Sequence, residues 1–117
     1  MSALRVIRCE HPEGRRAWDG LEDIPHKDER FSDASALWWD LPTPSADCGY
    51  MMKGYEVCAA PPHKLDTWFP EWVRPLLREQ GYMFVELEVP PGGLVAKGDY
   101  QVVIKRSQCR VVGEYLQ

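Results

Sequence analysis

Residues 64–89 carry the clearest pattern of apolar and polar positions in the chain. Apolar side chains recur there at intervals of three and four residues, as on one face of an α-helix. They are Leu65, Trp68, Phe69, Trp72, Val73, Leu76 and Leu77. Gly81 follows, and a glycine can adopt the left-handed conformation that ends a helix. The pattern predicts one main helix at about residues 64–80.

After Gly81 the apolar period changes from that of a helix to that of a strand. Alternate residues fall on opposite faces, with Met83, Val85, Leu87 and Val89 on one face and Tyr82, Phe84, Glu86 and Glu88 on the other. A half-buried strand directly after an amphipathic helix predicts a helix that packs on a sheet.

Pro70 and Pro75 interrupt the predicted helix, because a proline lacks an amide donor and clashes with the carbonyl group four residues earlier. The apolar stripe nevertheless continues through both positions. We therefore expect a short segment at about residues 63–69 and a main segment whose first turn holds Pro75, where the missing donor costs little. The aromatic residues of this stripe are expected in the core, and a ligand-stacking platform is the alternative.

Other segments have the composition of short strands, and turn residues separate them. They are residues 4–9, residues 48–60 with a bend at Gly54, residues 100–106 and residues 109–112, with a shorter extended piece at residues 94–96. We predict an α+β fold in a single domain of residues 1–117. A mainly antiparallel, twisted sheet of four to six strands would carry the main helix on one face.

The segment between the first two strands is polar and should be mainly loop with short helices. One helix is predicted after Ser32 and Asp33, which have the chemistry of a cap. The adjacent Trp38 and Trp39 cannot point the same way on a helix, which leaves room for one of them to be partly exposed. An exposed tryptophan is a candidate anchor for a partner, and packing beneath the loop is the alternative.

Acidic residues are concentrated in one segment. The formal net charge of the 117 residues is −4, and residues 10–33 contain eight acidic residues against four basic ones. Direct binding to nucleic acid is not expected, because that requires clustered Lys and Arg. The sequence contains neither an apolar run that could span a membrane nor a secretory signal pattern. We therefore expect a cytoplasmic protein with its four cysteines as reduced thiols.

Cys9, His11, Cys48, Cys58 and His63 are potential metal ligands. Structural zinc sites usually bring ligands in close pairs, and the spacing here does not, so no metal is expected. A cysteine nucleophile with a histidine base would need an electropositive setting. The apolar neighbours of Cys58 would raise its pKa instead, and a core thiol is the expected role.

The order of the elements resembles the small ADP-ribosyltransferase-like domains: a basic first strand, a long loop, a Tyr-rich second strand, a helix, and then FVELEVPPGGLVAKGDYQVVI. The resemblance implies that NAD is bound by Arg5, Arg8 or His11 of the first strand, with Tyr50 or Tyr55 stacking near the nicotinamide. Gln101 would occupy the position of the catalytic glutamate. An amide lacks the negative charge that stabilises an oxocarbenium-like centre, so the chain departs from the family there.

The size and acidity of the chain also resemble those of small phage and prophage proteins, several of which disable host defence systems. This resemblance implies a binding protein without a cofactor that blocks a basic surface of a host protein or complex, such as an antiphage defence complex in the manner of an anti-CRISPR protein. Asp23, Asp28 and Glu29 would steer the encounter, and Trp38 or Trp39 would anchor it. The alternative functions are an NAD-dependent mono-ADP-ribosyltransferase-like enzyme that modifies a host protein, and a subunit of a larger assembly.

Overall fold

The computed structural model describes residues 4–25 and 33–117. Within these ranges the chain forms six strands: β1 Leu4–Glu10, β2 Val57–Ala59, β3 Met83–Val89, β4 Leu94–Lys97, β5 Val102–Ile104 and β6 Arg110–Glu114. They make two antiparallel sheets of three strands each. The first sheet has the order β1-β3-β6 and the second sheet has the order β2-β5-β4. The predicted α+β class and antiparallel pairing are confirmed.

The helices are short. The described residues form the α-helices α1 Ala17–Glu22, α2 Pro44–Cys48, α3 Leu65–Trp68 and α4 Arg74–Glu79, and the 3-10 helices Ala34–Trp38, Pro62–Lys64, Pro91–Gly93 and Arg106–Gln108. None of them has the length and apolar character needed to cross a membrane. The predicted cap at Asp33 is confirmed, because its carboxylate accepts a hydrogen bond of 2.9 Å from the backbone N–H of Ser35. Ser32 lies outside the described residues.

One main helix over residues 64–80 is not found, whereas the expected division into a short segment near residues 63–69 and a segment with Pro75 in its first turn is. The stripe is divided between α3 and α4, and the chain leaves helical geometry at Phe69, whose φ is −136° and ψ is 84°. Pro70 follows at once, and its ring prevents α3 from continuing. Pro75 lies in the first turn of α4, as predicted. Val73 and Leu77 still share a core with Ile7 and Phe84 of the first sheet.

The prediction of one sheet is also wrong, because backbone pairing between the two sheets is limited, in the part of the chain that the structure describes, to a single bridge. Ile7 of β1 and Ala60 exchange two backbone hydrogen bonds of 2.9 and 3.0 Å. Pro61 and Pro62 follow Ala60 and offer no N–H with which to extend the pairing. A second core lies between the sheets and includes Val6, Leu87, Val102 and Ile104.

The predicted strand at residues 48–60 is much shorter than expected, since only Val57–Ala59 is extended and paired. Glu56 is the cause. Its carboxylate accepts hydrogen bonds from the Tyr50 hydroxyl at 2.9 and 3.0 Å and from the Lys53 N–H at 2.7 Å. These contacts fold the segment before β2 into turns.

Candidate ligand-binding cleft

A cleft of about 820 Å³ opens where β1 and β2 separate beyond their single bridge. β1 and β2 form two of its sides. The remaining lining comes from the turn and start of α1, from the loop at residues 41–44, from Trp38, Trp68 and Phe69, and from residues on either side of β5. The volume lies within the range of small-molecule sites.

An ion triad occupies the side of the cleft formed by β1. The Glu10 carboxylate accepts two hydrogen bonds from Arg106, at 2.9 and 3.1 Å, and one from Arg8 at 2.9 Å. Arg8 also donates to the Cys58 carbonyl at 2.9 Å, which joins β1 to β2 across the cleft. Burial by itself would raise the pKa of Glu10, but the hydrogen bonds and charges of Arg106 and Arg8 outweigh it, and the pKa lies below its ordinary value.

Two more arginines lie at the mouth of the cleft. Arg15 and Arg16 are exposed, and they pair with Asp23 at 3.1 Å and with Asp19 at 3.3 Å. Of the described residues that line the cleft, four are arginines and one is a glutamate, and none is an aspartate or a lysine. The formal net charge of the whole chain is −4, whereas the described lining residues carry a net positive charge that Asp19 and Asp23 partly neutralise at the mouth.

Aromatic rings form a second region of the lining. The ring of Trp38 lies 5.7 Å from that of Trp18, 5.4 Å from that of Trp68 and 5.5 Å from that of Phe69. Indole N–H groups fix two of these rings, because Trp38 donates to the Trp68 carbonyl and Trp68 donates to the Tyr100 carbonyl, each at 2.7 Å. The aromatic wall, defined as Trp18, Trp38, Trp68 and Phe69, is thus held in place before any ligand arrives.

Gln101 is placed in the cleft by an anchor on α2. The Asp47 carboxylate accepts backbone hydrogen bonds from Asp99, Tyr100 and Gln101 at 2.8, 3.0 and 2.9 Å. The turn passes so close that a Cβ added to Gly98 would lie 2.3 Å from this carboxylate. The side-chain Nε2 of Gln101 then donates to the Pro42 carbonyl at 3.0 Å.

His11 lines the cleft with both ring nitrogens already engaged. Its Nδ1 accepts from the Glu13 N–H at 3.1 Å, so Nε2 carries the hydrogen and faces the Gln80 carbonyl at 3.1 Å. The ring edge contacts Tyr82, with 4.8 Å between centroids. His11 therefore lines the cleft, but neither ring nitrogen is free to act as a base or to bind a metal.

The cysteines are free thiols in poorly reactive settings. Burial raises the pKa of Cys9 to about 12 and that of Cys58 to about 11, which confirms the expected environment of Cys58. Burial also raises the pKa of Cys48 and of Cys109. Among the described residues, no group of three or more His, Cys, Asp or Glu side chains could hold a metal ion.

The site residues that the ADP-ribosyltransferase resemblance implies are divided by the fold. Arg8, His11 and Gln101 line the same cleft, whereas Tyr50 and Tyr55 do not. Tyr50 donates to Glu56, and Tyr55 is 63% exposed. Arg5 also lies away from the cleft, pairing with Glu86 at 2.6 Å and with Glu88 at 3.4 Å.

The proposed partner-binding residues are also distributed unevenly. Trp38 contributes to the aromatic wall, while Trp39 is 62% exposed. Asp23 is exposed and pairs with Arg15. Asp28 and Glu29 lie outside the described residues.

The sequence pattern does not single out Glu10, Trp18, Asp47 or Arg106 as site residues. The pair Thr43 and Pro44 has the cap chemistry that begins α2, but nothing local indicates that Asp47 holds a turn more than fifty residues away along the chain. Comparison of the chain with protein-family models, with curated proteins and with solved structures finds no match.

Proposed function

We propose that the cleft binds a small anionic ligand that carries a planar heterocycle, and that nucleotides such as NAD are the class that fits. One observation carries the proposal: the lining has four arginines and one glutamate in a chain of net charge −4, and these arginines share the cleft with an aromatic wall. Arginine clusters recognise phosphate groups, and aromatic rings bind planar bases.

The ion triad favours a bound anion rather than a purely structural role. Arg106 uses its Nε and one terminal nitrogen for Glu10, and Arg8 uses its Nε for Glu10 and one terminal nitrogen for the Cys58 carbonyl. One carboxylate thus orients two guanidinium groups and leaves them with one uncompensated positive charge. Such pre-organisation reduces the entropy lost when a phosphate binds.

The aromatic wall supports the heterocycle part of the proposal. The indole N–H groups of Trp38 and Trp68 already donate to backbone carbonyls, so these side chains present apolar ring surface to the cleft rather than unsatisfied donors. Stacking on such a surface accepts any planar base and leaves discrimination to the polar groups nearby.

Transfer of ADP-ribose would require more than binding. Gln101 is an amide, and Glu10, the one carboxylate among the described lining residues, is engaged by two arginines. These side chains support recognition of a nucleotide more directly than chemistry on it. The shared position of Arg8, His11 and Gln101 supports NAD as the first ligand to test.

The test is isothermal titration of NAD and ADP into the wild-type protein and two arginine variants. Arg106→Gln should weaken binding by about tenfold, because it removes a charge-assisted contact to phosphate. Arg110→Gln is the matched control, since Arg110 is exposed and pairs with Glu88 outside the cleft. The proposal would be overturned if folded wild-type protein bound neither nucleotide at millimolar concentration. It would also be overturned if Arg106→Gln and Arg110→Gln lost affinity equally.

A second candidate function is the blocking of a host protein or complex with a basic surface, such as an antiphage defence complex. The exposure of Trp39, at 62%, favours it, because large exposed aromatic side chains often anchor interfaces. Trp39→Ala should reduce capture of a partner from host lysate, and capture should weaken from low to high salt. Capture that is insensitive to salt, to Trp39→Ala and to charge reversal at Asp23, Asp28 and Glu29 would contradict this function.

A further inference from the structure

Gln101 presents a hydrogen-bond acceptor of fixed orientation to the cleft. The residue is only 4% exposed, yet it belongs to the lining. Its Nε2 donates to the Pro42 carbonyl at 3.0 Å, and a carbonyl can only accept, so this contact decides which end of the amide is which. The opposite end is therefore Oε1, which accepts no hydrogen bond from the described part of the chain.

We propose that Gln101 Oε1 selects ligands that carry an N–H donor on their planar group, such as an exocyclic amine or a carboxamide. The inference rests on the proposed nucleotide-binding function and adds a specificity-determining residue to it. Gln101 would recognise the planar group of the ligand. It would not take the catalytic role that the ADP-ribosyltransferase resemblance implies for its position.

The position of Gln101 indicates that the N–H donor it selects lies on the planar group of the ligand rather than near its phosphate. The preceding residue, Tyr100, accepts the indole N–H of Trp68 through its carbonyl, so Gln101 adjoins the aromatic wall. Arg106 lies beyond the opposite end of β5, and five residues of extended chain span roughly 16 Å. A ligand whose phosphate contacts Arg106 would thus place its ring, rather than its phosphate, beside Gln101.

The energetic reason for selection is the cost of leaving this acceptor unpaired once a bound ligand covers it and excludes water. A ligand with a carbonyl or carboxylate at this position offers no donor to Oε1 and repels it, whereas an amine or amide satisfies it. The rigid anchoring of the turn by Asp47 prevents Gln101 from moving away to water. We expect a preference of about tenfold for the donor-bearing ligand.

Two pairs of nucleotides test the inference, because the members of each pair differ at one ring substituent. AMP and purine riboside 5′-monophosphate differ in an exocyclic amine against a hydrogen, and nicotinamide mononucleotide and nicotinic acid mononucleotide differ in a carboxamide against a carboxylate. Titration of the wild-type protein should give a preference of about tenfold for the donor-bearing member of at least one pair. The pair that shows this preference identifies whether Oε1 accepts from an exocyclic amine or from a carboxamide. A preference for the carboxamide would also oppose simple charge attraction by the arginines.

Two variants separate recognition by Oε1 from other causes. Gln101→Met removes the acceptor at similar size and should equalise the two members of the responding pair. Gln101→Glu retains an acceptor but loses the donor to the Pro42 carbonyl, so it should bind more weakly and keep the preference within the purine pair, whose members carry the same charge. Equal affinities within both pairs in the wild-type protein, or a preference that persists in Gln101→Met, would overturn the inference. The wild-type comparison decides the question even if a variant fails to fold, and binding of all four nucleotides with equal affinity would leave the proposed function intact.

Discussion

At the scale of single residues, Glu10 links the stability of the fold to the cleft. Its carboxylate lies between Arg8 and Arg106, which hold its pKa below the ordinary value of 4.5 in spite of burial. A carboxyl group with a lowered pKa in the folded state stabilises the fold fully above its unfolded pKa. That contribution is lost as the pH falls through the folded-state pKa.

Glu10→Gln should therefore lower the free energy of unfolding by about 2 kcal/mol at neutral pH, since it removes charge-assisted hydrogen bonds. The difference from wild type should begin to shrink below about pH 4.5, where the carboxyl group of the unfolded chain becomes neutral, and should be lost as the pH falls through the lower folded-state pKa. Urea unfolding at several pH values measures it, with the exposed Glu13→Gln as control. A difference that stays constant down to pH 3 would refute the role of ionised Glu10.

Asp47 is the second residue on which the site depends, because its carboxylate accepts three backbone N–H groups from the turn before β5. Asp47→Asn would turn an amide donor towards those N–H groups and should lower the free energy of unfolding by about 1–3 kcal/mol. Asp99→Asn, at an exposed position of the same turn, should have little effect. Equal melting temperatures for wild type and Asp47→Asn would contradict this account.

At the scale of elements, α1 is positioned by a close approach that only glycine permits. A Cβ on Gly20 would lie 2.6 Å from Cε2 of Tyr82 and 2.8 Å from Cδ2 of Leu77, both in buried side chains. The Tyr82 hydroxyl also donates to the Arg16 carbonyl at 2.7 Å. These contacts hold the helix that brings Trp18 to the cleft.

Gly20→Ala should lower the free energy of unfolding by about 1–3 kcal/mol, because overpacking displaces α1 from Tyr82. It should also weaken nucleotide binding, since Trp18 moves with the helix. Gly54→Ala is the matched control, as nothing lies within 4 Å of its added Cβ. Thermal unfolding and titration of both variants test the prediction, and a Gly20→Ala protein with wild-type stability and affinity would contradict it.

Local patterns predicted the elements of this fold better than their arrangement. The extended conformation of β3 and the cap at Asp33 depend on near neighbours, and both are confirmed, but the predicted half-burial of β3 is not, since Met83 is exposed and Phe84 is buried. A single helix over residues 64–80 does not form, because the apolar stripe indicates burial while Pro70 interrupts the helix, and the prolines in the sequence predicted this division. Similarly, the single sheet failed because the alternation of a strand does not identify its partner, and Pro61 ends the pairing that would have joined the sheets.

The candidate site was less predictable than the fold. Arg8, His11 and Gln101 were selected from the sequence and line one cleft, but the bonds that decide their roles come from distant residues. Glu10 pairs with Arg106, and His11 faces the Gln80 carbonyl. Contacts between residues so far apart in the chain leave no periodic or spacing signal in a single sequence.

At the scale of the whole molecule, the sign of the charge differs between the cleft and the chain. The formal net charge is −4, whereas four arginines and one glutamate line the cleft. Long-range repulsion of an anion is screened beyond about 10 Å at moderate salt, but contacts within the cleft are screened much less. Binding should therefore follow the local charge of the lining and not the net charge.

A series of ligands that share one base tests whether binding follows the positive charge of the lining. ADP should bind more tightly than AMP, and AMP more tightly than adenosine, with each phosphate contributing about a fivefold gain in affinity. Arg8→Gln and Arg106→Gln should flatten the series, because they remove the positive groups that the phosphates contact, while adenosine binding should change little. Titration at about 0.15 M salt measures all three ligands. Adenosine that binds as tightly as ADP would mean that the aromatic wall alone recognises the ligand, and that the arginines serve only the ion pairs within the fold.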